Sequence, residues 1–95
     1  MNAYESMFII NPTLGDEETD ALITKFEELI SNNRGEVTKT DRMGRRRLAY
    51  EIADCTEGTY VLLYFNAPGT LVAELERVYK ITDAVIRYLI IRKDS

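Results

Sequence analysis

The chain has 95 residues, 45% of them hydrophobic and 29% charged, with a formal net charge of -4. This is one domain's worth of chain with an ordinary globular composition, which excludes two independent domains and a disordered polymer. The absence of histidine and the single cysteine, Cys55, remove the commonest general base, an intramolecular disulfide and a cysteine zinc cluster together.

No apolar run approaches the roughly 20 residues of a spanning helix, and no secretory signal opens the sequence. A cytoplasmic protein with no membrane partner is expected. Cys55 lies in Asp54-Cys55-Thr56-Glu57-Gly58, where acidic neighbours disfavour a thiolate. Neither a cofactor nor a metal is expected, and catalysis is disfavoured.

Residues Ala3 to Asn11 read as a first strand, with Tyr4, Ser6, Phe8 and Ile10 alternating against Glu5, Met7 and Ile9. Asn11-Pro12 stops it. Leu14-Gly15-Asp16-Glu17-Glu18 opens a helix, its acids complementing the positive end of the helix dipole. Leu22, Phe26, Leu29 and Ile30 form an apolar stripe at helical spacing. Asn32-Asn33-Arg34-Gly35 ends that helix, Gly35 being suited to a left-handed C-terminal position.

Glu36 to Ala53 reads as one long extended segment bent or bulged at Gly44. A short loop from Asp54 to Gly58 leads into a third strand, Thr59 to Ala67. There Val61, Leu63 and Phe65 alternate with Tyr60, Leu62 and Tyr64, giving one apolar face and one rich in tyrosine. Pro68-Gly69-Thr70 starts a second helix carrying Leu71, Val72, Leu75, Val78 and Tyr79. Ala84 to Lys93 is the fourth strand, and Asp94-Ser95 is expected to close the chain without a long tail.

Charge is segregated along this order. Asp16 to Glu28 carries six acids and one lysine, net -5, whereas Lys39 to Arg47 carries five basic residues and one acid, net +4. Within the basic stretch Arg42, Arg45, Arg46 and Arg47 lead directly into Leu48-Ala49-Tyr50-Glu51-Ile52. Such a cluster either keeps a strand edge soluble or offers guanidinium forks to phosphate oxygens. An acidic chain with one basic end remains open to a polyanionic partner.

The order strand, helix, strand, strand, helix, strand predicts an α+β fold of the ferredoxin-like type, βαββαβ. Two interleaved right-handed units would form a four-stranded antiparallel sheet with both helices on one face. The helices are expected to cover Phe8, Leu48, Tyr50, Ile52, Val61, Leu63, Phe65, Ile86 and Ile90. The other face would carry Met7, Ile9, Arg47, Ala49, Tyr60, Leu62, Tyr64, Arg87, Leu89 and Ile91, an apolar and tyrosine surface rimmed by arginine. A patch of that size on a soluble protein marks a docking surface unless twist or self-association covers it.

The run Gly44-Arg45-Arg46-Arg47-Leu48-Ala49-Tyr50-Glu51-Ile52 resembles the signature of the bacterial small-subunit ribosomal protein six family. The likeness extends to Tyr4-Glu5 and Met7-Phe8-Ile9, to Gly58-Thr59-Tyr60, and to Thr82-Asp83-Ala84-Val85-Ile86-Arg87-Tyr88. It covers nearly the whole chain. Met43 stands where many members have tryptophan, Asn2 stands where a basic residue is frequent, and the acidic C-terminal extension of some members is missing.

The resemblance implies a non-catalytic constituent of the small-subunit platform, binding the central domain of 16S rRNA together with small-subunit ribosomal protein eighteen. Joined to the residue pattern, it marks Tyr4, Arg45, Arg46, Arg47, Arg87 and Arg92 as expected RNA contacts. Met7, Ile9, Ala49, Tyr60, Leu62, Tyr64, Leu89 and Ile91 form the expected protein-partner surface. No small-molecule substrate is expected, because the first strand-to-helix loop, Asn11 to Glu18, is acidic and would repel an anion.

Overall fold

The computed structural model describes residues 1–93, so Asp94-Ser95 at the expected chain end lie outside the described residues. The elements follow as β1 (Asn2–Ile10), α1 (Asp16–Asn32), β2 (Glu36–Ile52), β3 (Cys55–Ala67), α2 (Thr70–Ile81) and β4 (Val85–Arg92). They build one four-stranded sheet in the order β2-β3-β1-β4. Every neighbouring pair is antiparallel, which gives the expected ferredoxin-like arrangement.

Period-two alternation decides which side of the sheet meets the helices. Tyr4, Phe8 and Ile10 of β1 and Val61, Leu63 and Phe65 of β3 enter one core with Ile23, Phe26 and Ile30 of α1 and Leu71, Leu75, Val78 and Tyr79 of α2. Its centre is aromatic. Phe26 lies 4.7 Å from Tyr79 and 5.1 Å from Phe8, ring centre to ring centre, and Tyr79 stacks on Tyr88 at 5.1 Å. The Tyr79 hydroxyl is tied to Ser6 Oγ at 2.8 Å, joining α2 to the middle of β1 in full burial. Burial pushes that phenol above the usual tyrosine range, and the Ser6 bond partly opposes the shift.

The helix ends show where local chemistry was read correctly and where it was not. Glu18 Oε1 accepts a bond from the Gly15 amide at 3.3 Å, which satisfies one free donor at the start of α1. After α1, however, the left-handed position belongs to Arg34, with φ 68°, and not to Gly35 as expected. Gly35 is needed for a different reason. A Cβ there would lie 2.6 Å from Ile30 Cγ2 and 2.8 Å from the Ile30 carbonyl, which the Gly35 amide bonds.

The largest departures lie in β2. Its register on β3 shifts between Val37 and Lys39, between Arg42 and Gly44, and between Arg47 and Ile52. Gly44 has φ +80°, as the expected bulge requires. In the last shift four residues, Leu48 to Glu51, stand against Thr56 alone. The chain then turns tightly through Ala53 (φ 50°) and Asp54 (φ 63°), so β3 begins at Cys55 and not at Thr59. Positive φ at both residues suits a two-residue hairpin turn that follows the twist of the strands.

Candidate RNA and partner interface

Three rows of side chains cross the sheet on the side away from the helices. Lys39, Tyr64, Glu5 and Ile91 are paired across the four strands in the first, Asp41, Leu62, Met7 and Leu89 in the second, and Gly44, Tyr60, Ile9 and Arg87 in the third. The middle row is mainly apolar. At the margins Lys39 Nζ sits 5.6 Å from the centre of the Tyr64 ring and Lys93 Nζ lies 3.5 Å from Glu5 Oε2. Leu89 and Ile91 are 50% and 43% exposed. Ile9 is only 2% exposed, so it is floor and not a protruding contact.

The extra residues of β2 carry its tip over this face. Leu48, Ala49, Tyr50 and Ile52 line a cavity of about 190 Å³ together with Met7, Ile9, Tyr60 and Arg87. Arg87 Nη1 donates to the Tyr50 hydroxyl at 2.5 Å, and its guanidinium carbon lies 5.9 Å from the ring centre. This contact joins the tip of β2 to β4, across the sheet. The expectation that helices cover Leu48, Tyr50 and Ile52 is therefore corrected. Leu48 is buried but is not a member of the helix-side core, and Tyr50 is 61% exposed. The unmatched residues Thr38 and Met43 each reverse the facing of β2 and so cancel, which leaves Leu48 and Tyr50 on the open-face parity of Gly44 and Arg46; the apolar alternation Leu48, Tyr50, Ile52 does not itself say which side it faces.

The same shifts sort the arginines. Arg42, opposite Val61, points to the helix side and pairs with Asp20 of α1. Arg45, opposite Thr59, donates through Nη2 to the Pro12 carbonyl at 3.0 Å. Arg46 stands opposite Gly58 and Arg47 opposite Glu57, so Arg46, and not Arg47, shares the parity of the open face. Both are exposed, and neither has an ion-pair partner among the described residues. Arg47 lines a shallow concavity of about 420 Å³ with Leu48, Tyr50, Glu51 and Thr56.

The expected RNA contacts thus divide. Arg45, Arg46 and Arg47 share one end of the sheet, and the Tyr50 contact connects Arg87 to that end. Arg92 stands opposite Tyr4 at the other end of β1, roughly 20 Å from the Ile10 end at strand rise. Tyr4 leaves the group altogether. It is 7% exposed, its ring is stacked at 5.5 Å on Phe65, and its hydroxyl accepts from Asn2 Nδ2 at 3.1 Å. Its parity with Phe8, visible in the sequence, was already the signal for a core role. Tyr50 is the residue the sequence reading missed.

A family model described as Ribosomal protein S6 matches residues 3–92, the stretch that holds every candidate site residue. The chain belongs to the ribosomal protein S6 family. It is 53% identical over 95 residues to small ribosomal subunit protein bS6 of Thermoanaerobacter pseudethanolicus, covering all of both chains. With the corresponding protein of Caldanaerobacter subterraneus subsp. tengcongensis it shares 50% identity, again over all of both chains. The crystal structure of 30S ribosomal protein S6 from Thermotoga maritima superposes with a TM-score of 0.93 at 39% identity, covering 97% of this chain and 87% of that one. As an S6-family member the chain is a structural ribosomal protein of the small subunit.

Among the described residues no helix is long and apolar enough to cross a membrane. No group of three or more potential metal-binding side chains occurs among them either.

Proposed function

We propose that this chain binds the central domain of 16S rRNA together with small-subunit ribosomal protein eighteen, as a non-catalytic scaffold of the platform and a resident of the cytoplasmic ribosome. The observation that carries the reading is the pair Arg46 and Arg47, exposed and without ion-pair partners among the described residues, beside an open face that bears Leu89 and Ile91. Unpaired guanidinium groups at the edge of a sheet are suited to phosphate oxygens and to holding a folded RNA in position. Arg45, Arg87 and Arg92 add positive charge, Arg87 with donors left beyond its bond to Tyr50.

The protein partner is assigned to the apolar rows, with Met7, Tyr60, Leu62, Tyr64, Leu89 and Ile91 at the contact, Ala49 on the overhanging tip and Ile9 beneath. Apolar side chains of neighbouring strands in register form a continuous surface of the kind that becomes the core of a protein interface. The test is a titration of central-domain RNA with and without protein eighteen at two salt concentrations. Tight binding only with the partner, weakened by salt, supports the reading. Equal binding without the partner and insensitivity to salt would overturn it.

A further inference from the structure

Tyr50 is the one aromatic residue among the large apolar side chains left exposed in the described structure. It is held in place. Arg87 bonds its hydroxyl, with its guanidinium carbon 5.9 Å from the ring centre, while Leu48 and Ile52 of the same segment line the cavity beside it. Beside it the concavity of about 420 Å³ is roomy enough for one nucleobase, and Arg47 lines its rim with Glu51 and Thr56. An exposed ring flanked by arginines meets the two needs of an unpaired nucleotide, a flat apolar partner for the base and a cation for the phosphate. Tyr50 stands on the β2 tip between two concavities, one shared with Met7, Ile9 and Tyr60 of the apolar rows and one lined by Arg47, Glu51 and Thr56, and Arg47 lines only the second.

We propose that Tyr50 is a base-stacking residue: one unpaired nucleobase of the bound RNA stacks on its exposed ring in the concavity lined by Arg47, Leu48, Glu51 and Thr56. Arg47 holds the adjoining phosphate, and Arg87 acts as a positioning residue that fixes the ring through its hydroxyl. This rests on the RNA-binding reading above and names the part of the RNA that the β2 tip takes.

The chain contains no tryptophan, so Tyr50→Trp gives it a single indole at the proposed stacking position. Central-domain RNA is titrated into the complex of this variant with protein eighteen, and indole emission is followed against a wild-type blank while complex formation is measured by gel shift. Stacking gives quenching that saturates with binding. Tyr50→Phe, which keeps the ring but loses the hydroxyl that Arg87 holds, loses only a few-fold in affinity, whereas Tyr50→Leu loses roughly ten- to a hundredfold. Neither changes the salt dependence, since no charge is removed.

Binding with unchanged indole emission and full affinity of Tyr50→Leu overturns the stacking proposal and leaves the RNA-binding reading intact. Loss of protein eighteen binding by Tyr50→Leu without RNA present also overturns it, because the ring is then a protein anchor. Failure of the wild-type complex to bind RNA removes the underlying reading and the proposal with it.

Discussion

The hydrogen bond between Ser6 Oγ and Tyr79 Oη offers a stringent test of how this core is held together. Both residues are at most 1% exposed and their oxygens are 2.8 Å apart, with no water access to replace a lost partner. Tyr79→Phe strands the serine hydroxyl, and Ser6→Ala strands the phenol. Leaving a buried polar group unpaired costs about 1–3 kcal/mol, more than the bond's net contribution of about 1 kcal/mol. The double variant removes both groups and leaves nothing unsatisfied. It should therefore be markedly more stable than the sum of the single losses implies, by about 1–3 kcal/mol. At this chain length each kcal/mol moves the melting temperature by about 4–8 °C, so the difference is readily measured. Urea unfolding of the four proteins, with unchanged m-values, is the assay. Additive losses would refute the reasoning, because they would mean that each hydroxyl finds another partner when the first is removed. RNA binding by the double variant should be unaltered, since the bond lies on the helix side of the sheet.

Arg46→Ala and Arg47→Ala should each reduce the slope of log affinity against log salt by about 0.7–0.9, the signature of one lost phosphate contact, without lowering the melting temperature. An unchanged slope with a lowered melting temperature would show the cluster to be structural. Gly44→Ala should cost about 1 kcal/mol of stability in urea unfolding, because φ is +80° there although nothing lies within 4 Å of the added Cβ. Asp54→Gly, also at positive φ, should stabilise by a few tenths of a kcal/mol or more in the same assay. Glu76 accepts a bond from the Tyr88 hydroxyl at 3.1 Å and pairs with Lys80, and together these hold its carboxyl below the ordinary value of 4.5. A depressed folded-state value means the contribution is present above pH 4.5 and lost as pH falls through the folded value. Glu76→Gln should therefore flatten the acid limb of the stability-pH curve and leave its slope near neutrality unchanged.

Strand and helix order was legible because the apolar spacing of Val61, Leu63 and Phe65 or of Leu71, Leu75 and Val78 has one reading. Residues Leu48 to Ile52 show what was not. Their alternation is as regular as that of β3, yet it does not say which side of the sheet it faces, and the last register shift of β2 falls within it without a sequence signal. The hairpin was misplaced for a related reason. Glu57-Gly58 has the composition of a turn, but the turn is made by Ala53 and Asp54. Gly58 is a glycine because a Cβ there would lie 2.2 Å from Ile9 Cγ2. The glycine recorded a close approach between strands, and sequence alone does not distinguish that from a turn. Among the site residues, the apolar rows followed from parity, while the exposure of Tyr50 and the burial of Tyr4 depended on register and packing.

The two proposed surfaces obey different physics, and that difference orders assembly. An apolar face such as Met7, Leu62 and Leu89 gains affinity by removing carbon from water, which moderate salt scarcely alters. The Arg46 and Arg47 edge, with Arg45 or Arg87, would neutralise about three phosphates and give a salt slope near -2 to -3. Raising salt from 50 to 200 mM then weakens the RNA contact by roughly 20- to 40-fold from this edge alone. So few contacts hold RNA weakly when this chain acts by itself. A protein docked on the apolar rows and bringing its own basic groups adds phosphate contacts within the same complex, and its linkage makes the second contact effectively intramolecular. The protein pair should accordingly persist at salt concentrations that dissociate both proteins from the RNA, and sedimentation of the ternary mixture across a salt series tests this directly. Dissociation of the protein pair before the RNA contact would place the arginines, and not the apolar rows, at the protein interface.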